Sequence, residues 1–230
     1  MKKRAVYVIA LVMLGISLFA IGRYFYSYIK VEKDQKELEQ TVQEQSLDTI
    51  YTTIKDMVGW IKIDGMKLDN PIMQTTDNAY YLSHNYKGEK ARTGSIFLDY
   101  RNNPQFTDRH AIIYGHVLRN GSMFGQLAQY ANNEFAKAHK QITIELENEV
   151  LYLEVFAAYE TTTDFYYIET KFADETFKQF ISTIQNKSLI SMDTAISIDD
   201  QIVTLSTCTK STDEKERFVV HTKIVERKSK

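Results

Sequence analysis

Cysteine is almost missing from this chain: among 230 residues only Cys208 carries a thiol. An intramolecular disulfide is thereby excluded, and so is any zinc site built on cysteines. Proline is nearly as scarce, with 2 residues, and glycine numbers 9, too few for a collagen-like or low-complexity chain. Charge of one sign is lacking as well. The 28 basic and 30 acidic side chains leave a formal net charge of −2, which gives no reason to expect nucleic acid as a partner. His84, His110, His116, His139 and His221 are scattered without metal-ligand spacing, so neither a metal nor a cofactor is expected.

Long apolar runs are also absent, with one exception at the N-terminus. Met1-Lys2-Lys3-Arg4 is basic, and residues 5–22 then carry no charge, a length near the lower limit for a membrane-spanning helix. Tyr24, Phe25, Tyr26 and Tyr28 follow like an aromatic belt. The rival reading is a cleaved signal peptide, but Leu18-Phe19-Ala20 lacks the first small residue of an Ala-x-Ala site. An uncleaved single-pass anchor is expected, with residues 1–4 cytoplasmic, 5–22 spanning the membrane and everything after Arg23 outside. Residues 23–46, dense in Lys, Glu, Asp and Gln from about residue 30, read as a stalk or linker, and 47–230 as one globular domain.

Leu47, Ile50, Tyr51, Ile54 and Met57 fall on one helical face, predicting a helix. From residue 58 onward β signals dominate. The runs 60–63 and 68–73 flank Asp64-Gly65, a hairpin signal, and Pro71 points to an edge or a bulge in the second strand. Residues 77–84 suggest a short helix or turn, 94–98 and 110–114 strands, and Ser122 a cap for a short helix through Tyr130. A strand pair is predicted at 142–146 and 150–159. Residues 161–200 form a long excursion holding a helix with Phe177, Phe180, Ile181 and Ile184 on one face. About eight strands and little helix indicate a mainly β, barrel-like domain rather than a doubly wound α/β fold.

Cys208 ends the β-type run 201–207, a polar loop follows over 209–216, and a second β-type run opens at Arg217. Adjacent strands joined this way bring thiol and guanidinium to one rim of a sheet. A lone cysteine is commonly a small buried hydrophobe. The alternative is a nucleophile at a strand end, with an always-charged Arg beside it to donate hydrogen bonds to an oxyanion. Position alone leaves both open. A cysteine nucleophile needs a proton acceptor, usually His. His116, at a strand end beside Gly115, projects toward a rim. His221, at even spacing from Arg217, shares its face and is a weaker rival. His84, His110 and His139 read as surface residues.

These pieces together resemble the class B sortases, cysteine transpeptidases of the Gram-positive cell surface. The resemblance is carried by Thr204-Leu205-Ser206-Thr207-Cys208, Arg217-Phe218-Val219-Val220, Tyr114-Gly115-His116, Asn120-Gly121-Ser122-Met123-Phe124-Gly125, Gly94-Ser95-Ile96-Phe97-Leu98-Asp99 and the N-terminal anchor. Val117 departs from the pattern, where a polar residue, often Asn, would follow the histidine. The resemblance implies a sortase-like eight-stranded β-barrel, with an N-terminal helix and a helix in the long loop before the cysteine strand. It implies that Cys208 attacks the Thr carbonyl of a C-terminal sorting signal resembling Asn-Pro-x-Thr-Asn/Gly and forms a thioacyl intermediate. His116 then protonates the leaving amine and deprotonates the incoming one, and Arg217 holds the substrate and its oxyanion. The implied partners are surface proteins bearing the signal, and a peptidoglycan precursor or crossbridge amine as acceptor. By position, Tyr114, Thr163, Tyr167, Ile168 and Ser206 contact substrate, with Asn78 and Leu82 in the groove. Ser206, two residues before Cys208 on a strand, shares the thiol's face. Three other readings use the same residues: a surface cysteine protease that releases its product to water, a pilin-polymerising sortase, and a binding module with Cys208 merely buried.

Overall fold

The computed structural model describes residues 2–44, 47–208 and 215–230; Met1, residues 45–46 and most of the loop expected at 209–216 lie outside them. The chain divides into two compact units, Met1–Ile50 and Tyr51–Lys230. The first is dominated by one continuous helix, α1 (Lys2–Glu44). Its stretch Val6–Arg23 has a mean hydropathy of 2.1, and by length and composition it is able to cross a membrane. A short helix, α2 (Leu47–Thr53), follows. It stops earlier than the apolar spacing predicts: Asp56 takes a positive φ of 61°, and Met57 already opens the first strand.

Eight strands form a closed barrel. They are β1 (Met57–Lys62), β2 (Asp69–Met73), β3 (Ile96–Leu98), β4 (His110–Gly115), β5 (Gln141–Glu145), β6 (Glu149–Thr162), β7 (Ile202–Cys208) and β8 (Glu216–Ser229). Around the barrel the order is β1-β2-β3-β4-β7-β8-β6-β5, with β5 pairing back to β1. β1 and β2 make the expected hairpin, turning at Gly65, whose φ of +79° favours a residue without a side chain. β2 is not an edge: it pairs with β1 on one side and with β3 on the other. Pro71 is tolerated because the β3 ladder covers only Ile72 and Met73, and the irregular register lies opposite, between Met57 and Gly59.

The centre of the sheet is the parallel pair β4 and β7, matched from His110↔Ile202 to Gly115↔Thr207. Parallel strands are usually covered on both faces and read as unbroken apolar or β-branched runs. Ile202 to Thr207 are all buried. Alternation along β8 shows the two sides: Phe218 and Val220 belong to the core inside the barrel, while Val219 belongs to a second cluster outside it. That second cluster is covered by α4 (Asp174–Lys187), whose Phe177, Phe180, Ile181 and Ile184 are buried on one stripe, as the i, i+3, i+4, i+7 spacing predicts. Asp174 and Glu175 in its first turn suit the positive end of the helix.

One local expectation fails. Ser122 caps no helix, because its hydroxyl donates to Asn120 Oδ1 at 2.8 Å inside the turn. The cap belongs to Asn132, whose Oδ1 accepts from Glu134 N and Phe135 N at 2.8 and 3.0 Å and starts α3 (Asn133–Ala138).

Candidate active site

Strand order brings the expected reacting residues to one rim. β4 and β7 run parallel, and their last matched pair is Gly115↔Thr207. The residues that follow are His116, just past the end of β4, and Cys208, the last of β7. β8 returns antiparallel beside β7, with Cys208 directly opposite Arg217, and Arg217 in turn faces Thr161 of β6. Neighbouring strands lie about 4.8 Å apart, so Cys208 sits beside Arg217 on one side and near the end of β4, from which His116 leads on, on the other. Cys208 is placed here by its backbone register.

A cleft of about 280 Å³ opens at this rim. His116 and Arg217 line it. So does each residue expected to contact substrate: Asn78 and Leu82 on one side, Tyr114 and Ser206 on the strand floor, Thr163, Tyr167 and Ile168 on the opposite wall. Phe97, Gly115, Phe165, Tyr166 and Thr207 also line it and were not anticipated. Tyr166, 58% exposed beside Tyr167, carried the one readable signal, an aromatic pair within a long excursion.

Each lining group is held by named bonds. His116 Nε2 donates to the Leu82 carbonyl at 3.0 Å, so Nε2 carries the proton and Nδ1 is the nitrogen able to take one. Gly115 is required by close approach: a Cβ there would meet the Phe124 ring at 2.8 Å. Arg217 Nη1 donates to Glu216 O at 2.8 Å. Tyr167 and Ser206 share a buried hydroxyl–hydroxyl bond of 2.7 Å across the cleft base. Under Tyr114 lies Asp99, whose side chain is fully buried. Burial alone would raise its carboxyl; hydrogen bonds from Arg101, Asn78 and Tyr114 outweigh that and hold it below the usual carboxylate range. Burial, and then the Asp99 charge, push the Tyr114 hydroxyl well above its ordinary value, so it remains a donor.

The other histidines lie elsewhere. His110 is not a surface residue: it is fully buried under α4, because the excursion covers the start of β4. His221 is likewise fully buried, four residues along β8 from Arg217, and does not line the cleft. The two belong to one chain of hydrogen bonds whose direction is fixed at its end. The Glu169 carbonyl can only accept, so His110 Nδ1 donates to it at 2.6 Å and Nε2 accepts from the Thr204 hydroxyl at 2.6 Å. Thr204 Oγ1 then accepts from His221 Nδ1 at 2.7 Å, and His221 Nε2 accepts from Tyr159 at 2.8 Å. Burial lowers both imidazoles, His110 to about 4 and His221 well below its ordinary value, so both are neutral at pH 7. His84 and His139 stay at the surface, bonded to the Tyr80 and Asp64 carbonyls.

Comparison with known proteins decides the family. The family model described as Sortase domain matches residues 61–225. The chain belongs to the sortase family. Sortase B of Listeria monocytogenes is 40% identical over 234 residues, covering 94% of this chain and 95% of that protein. The structure of sortase B from B. anthracis in complex with AAEK1 superposes with a TM-score of 0.79 at 40% identity, covering 88% of this chain and 100% of that one. The Staphylococcus aureus sortase B–substrate complex gives a TM-score of 0.75 at 35% identity, covering 85% and 94%. This sortase is thus of class B, a sortase-type enzyme and, by family, a cell-wall transpeptidase.

Proposed function

We propose that this sortase cleaves a C-terminal sorting signal resembling Asn-Pro-x-Thr-Asn/Gly after its Thr, and passes the freed carboxyl end to a cell-wall amine. The observation that supports the reading is the register: Cys208 pairs with Arg217, His116 follows the β4 residue matched to Thr207, and His116, Thr207 and Arg217 line a cleft together with every residue expected to contact the peptide.

In the first half-reaction the Cys208 thiol gives its proton to His116 Nδ1 and the sulfur attacks the Thr carbonyl carbon. The new C–S bond puts negative charge on the carbonyl oxygen, and the Arg217 guanidinium donates to it. The C–N bond then breaks, and His116 gives its proton to the leaving amine. In the second half, a peptidoglycan amine attacks the thioacyl carbon, His116 takes the amine's proton, and the thiolate leaves. Tyr167, Ser206 and Thr163 offer polar contacts, and Leu82, Ile168 and the Tyr114 ring supply apolar walls for an extended peptide. Client proteins reach this site in a Gram-positive envelope, with α1 holding the enzyme in the membrane, residues 1–4 inside and the barrel outside.

The test is turnover of a sorting-signal peptide by the full chain with and without an added amine. The Cys208→Ala variant is expected to lose both cleavage and transfer with its circular dichroism and melting temperature unchanged. Retained turnover in that variant removes the assignment; cleavage that ignores the amine makes the enzyme a protease instead.

A further inference from the structure

Asp99 and Arg101 touch the cleft nowhere, yet between them they hold four of its lining residues. Asp99 Oδ2 accepts from Asn78 Nδ2 and from the Tyr114 hydroxyl, each at 2.9 Å. Arg101 binds both carboxylate oxygens, Nε to Oδ1 and Nη2 to Oδ2, each at 2.8 Å. The same guanidinium then crosses to the opposite wall: Nη2 donates to Ile168 O at 2.8 Å and Nη1 to the Tyr166 hydroxyl at 3.3 Å. Asn78 precedes the 3₁₀ turn Tyr80–Leu82 and Tyr114 lies in β4, whereas Tyr166 and Ile168 belong to the strandless stretch after β6. One ion pair therefore spans the two sides of the cleft from beneath.

We infer that Asp99 and Arg101 are positioning residues that fix the width of the cleft for an extended peptide; this rests on the cleft being the substrate site. The physical argument is one of stiffness. A buried ion pair is a poor way to stabilise a barrel, since desolvation offsets most of its attraction. A planar guanidinium bonded to both oxygens of a fully buried carboxylate is, by contrast, a rigid strut, because its donors sit in a fixed fork. The far wall has little regular structure of its own. Besides Arg101, His110 holds the Glu169 carbonyl and Ser206 holds the Tyr167 hydroxyl. Of these three anchors Arg101 is the one that links that wall to Asn78 and Tyr114, so it sets the spacing between walls.

The test uses the full chain and the Arg101→Lys variant. The Arg101 side chain is 25% exposed, so the variant is expected to fold, whereas Asp99→Asn serves as a second, harsher change. A point ammonium cannot reach Asp99 and Ile168 together. Arg101→Lys is expected to raise KM for the sorting-signal peptide about tenfold with kcat within about twofold, the signature of lost ground-state positioning. Alkylation of Cys208 by iodoacetamide should keep its rate and pH profile. Backbone amides over residues 166–170 should exchange with solvent about tenfold faster, a local opening that leaves the core strands protected. Unchanged KM and unchanged exchange overturn the proposal. So does a loss in which KM, alkylation and melting temperature change together, which is a general structural role. If the wild type itself turns over no sorting-signal peptide, the reading of the cleft fails, and exchange over 166–170 alone decides whether the pair braces the wall.

Discussion

Arg217 carries the sharpest demand placed on any one side chain. It stands across from Cys208 on one strand and from Thr161 on the other, and it lines the cleft. A guanidinium there can offer two donors in one plane to a developing oxyanion, which an ammonium cannot reproduce. Arg217→Lys is expected to lower kcat/KM about 100-fold, the usual loss for one oxyanion donor, with the melting temperature unchanged. Near-normal kcat/KM would reduce Arg217 to a structural residue. At this scale the sequence told most where chemistry is local. A lone thiol ending one β-type run, with an Arg opening the next, already implied their juxtaposition. It told least about the histidines. His110 and His221 look like accessible polar groups in one dimension; they are buried because α4 and its flanking stretch fold over them, which no neighbouring residue announces. Asp99 and Arg101 gave no warning either, since their partners lie as far along the chain as Ile168.

Among elements, the excursion between β6 and β7 does two jobs. Its first part walls the cleft, and its second part, α4, pins it to the barrel through Phe177 and Ile184, both fully buried. Phe177→Ala or Ile184→Ala is expected to cost about 2–5 kcal/mol, read as a lower urea midpoint, because a cavity opens in a packed cluster. A loss below about 0.5 kcal/mol, the range of exposed sites, would mean that α4 does not hold the excursion down. α4 was legible because a 3.6-residue apolar period with acids in the first turn is a strong pattern. The stretch before it was not, because its conformation is set by single bonds to Arg101, His110 and Ser206 rather than by any repeat. The misplaced cap at Ser122 has the same origin: the short helix through Tyr130 is there as a 3₁₀ turn, Leu127–Ala131, but it starts after Gln126. Serine serves turns as well as caps, and here Asn120 claims its hydroxyl.

For the molecule as a whole, closure of the barrel depends on pairings far apart in sequence, such as β4 with β7 and β5 with β1. Strand count was readable from composition and turn residues; the order of strands was not, because it rests on these distant pairings. The fold also encloses two neutral histidines, and this sets its response to acid. Both are held below 6.5, the ordinary value, His110 at about 4. As pH falls from 6.5 toward 4, the unfolded chain binds protons that the folded chain refuses, so stability falls with pH in that window. The slope is about 1.4 kcal/mol per pH unit for each histidine. Urea titrations across this range should show up to two extra protons taken up on unfolding; stability that stays flat would contradict the buried chain from Tyr159 to Glu169.

The most direct measurement is mass spectrometry of the full chain mixed with a sorting-signal peptide, before and after an amine is added. The account predicts an acyl adduct on Cys208 that ends in the peptide's Thr. The adduct should form with loss of the C-terminal fragment, and it should discharge onto the amine as a new amide. An amide product formed by the Cys208→Ala variant, or turnover by the wild type through an adduct on any other residue, would contradict it.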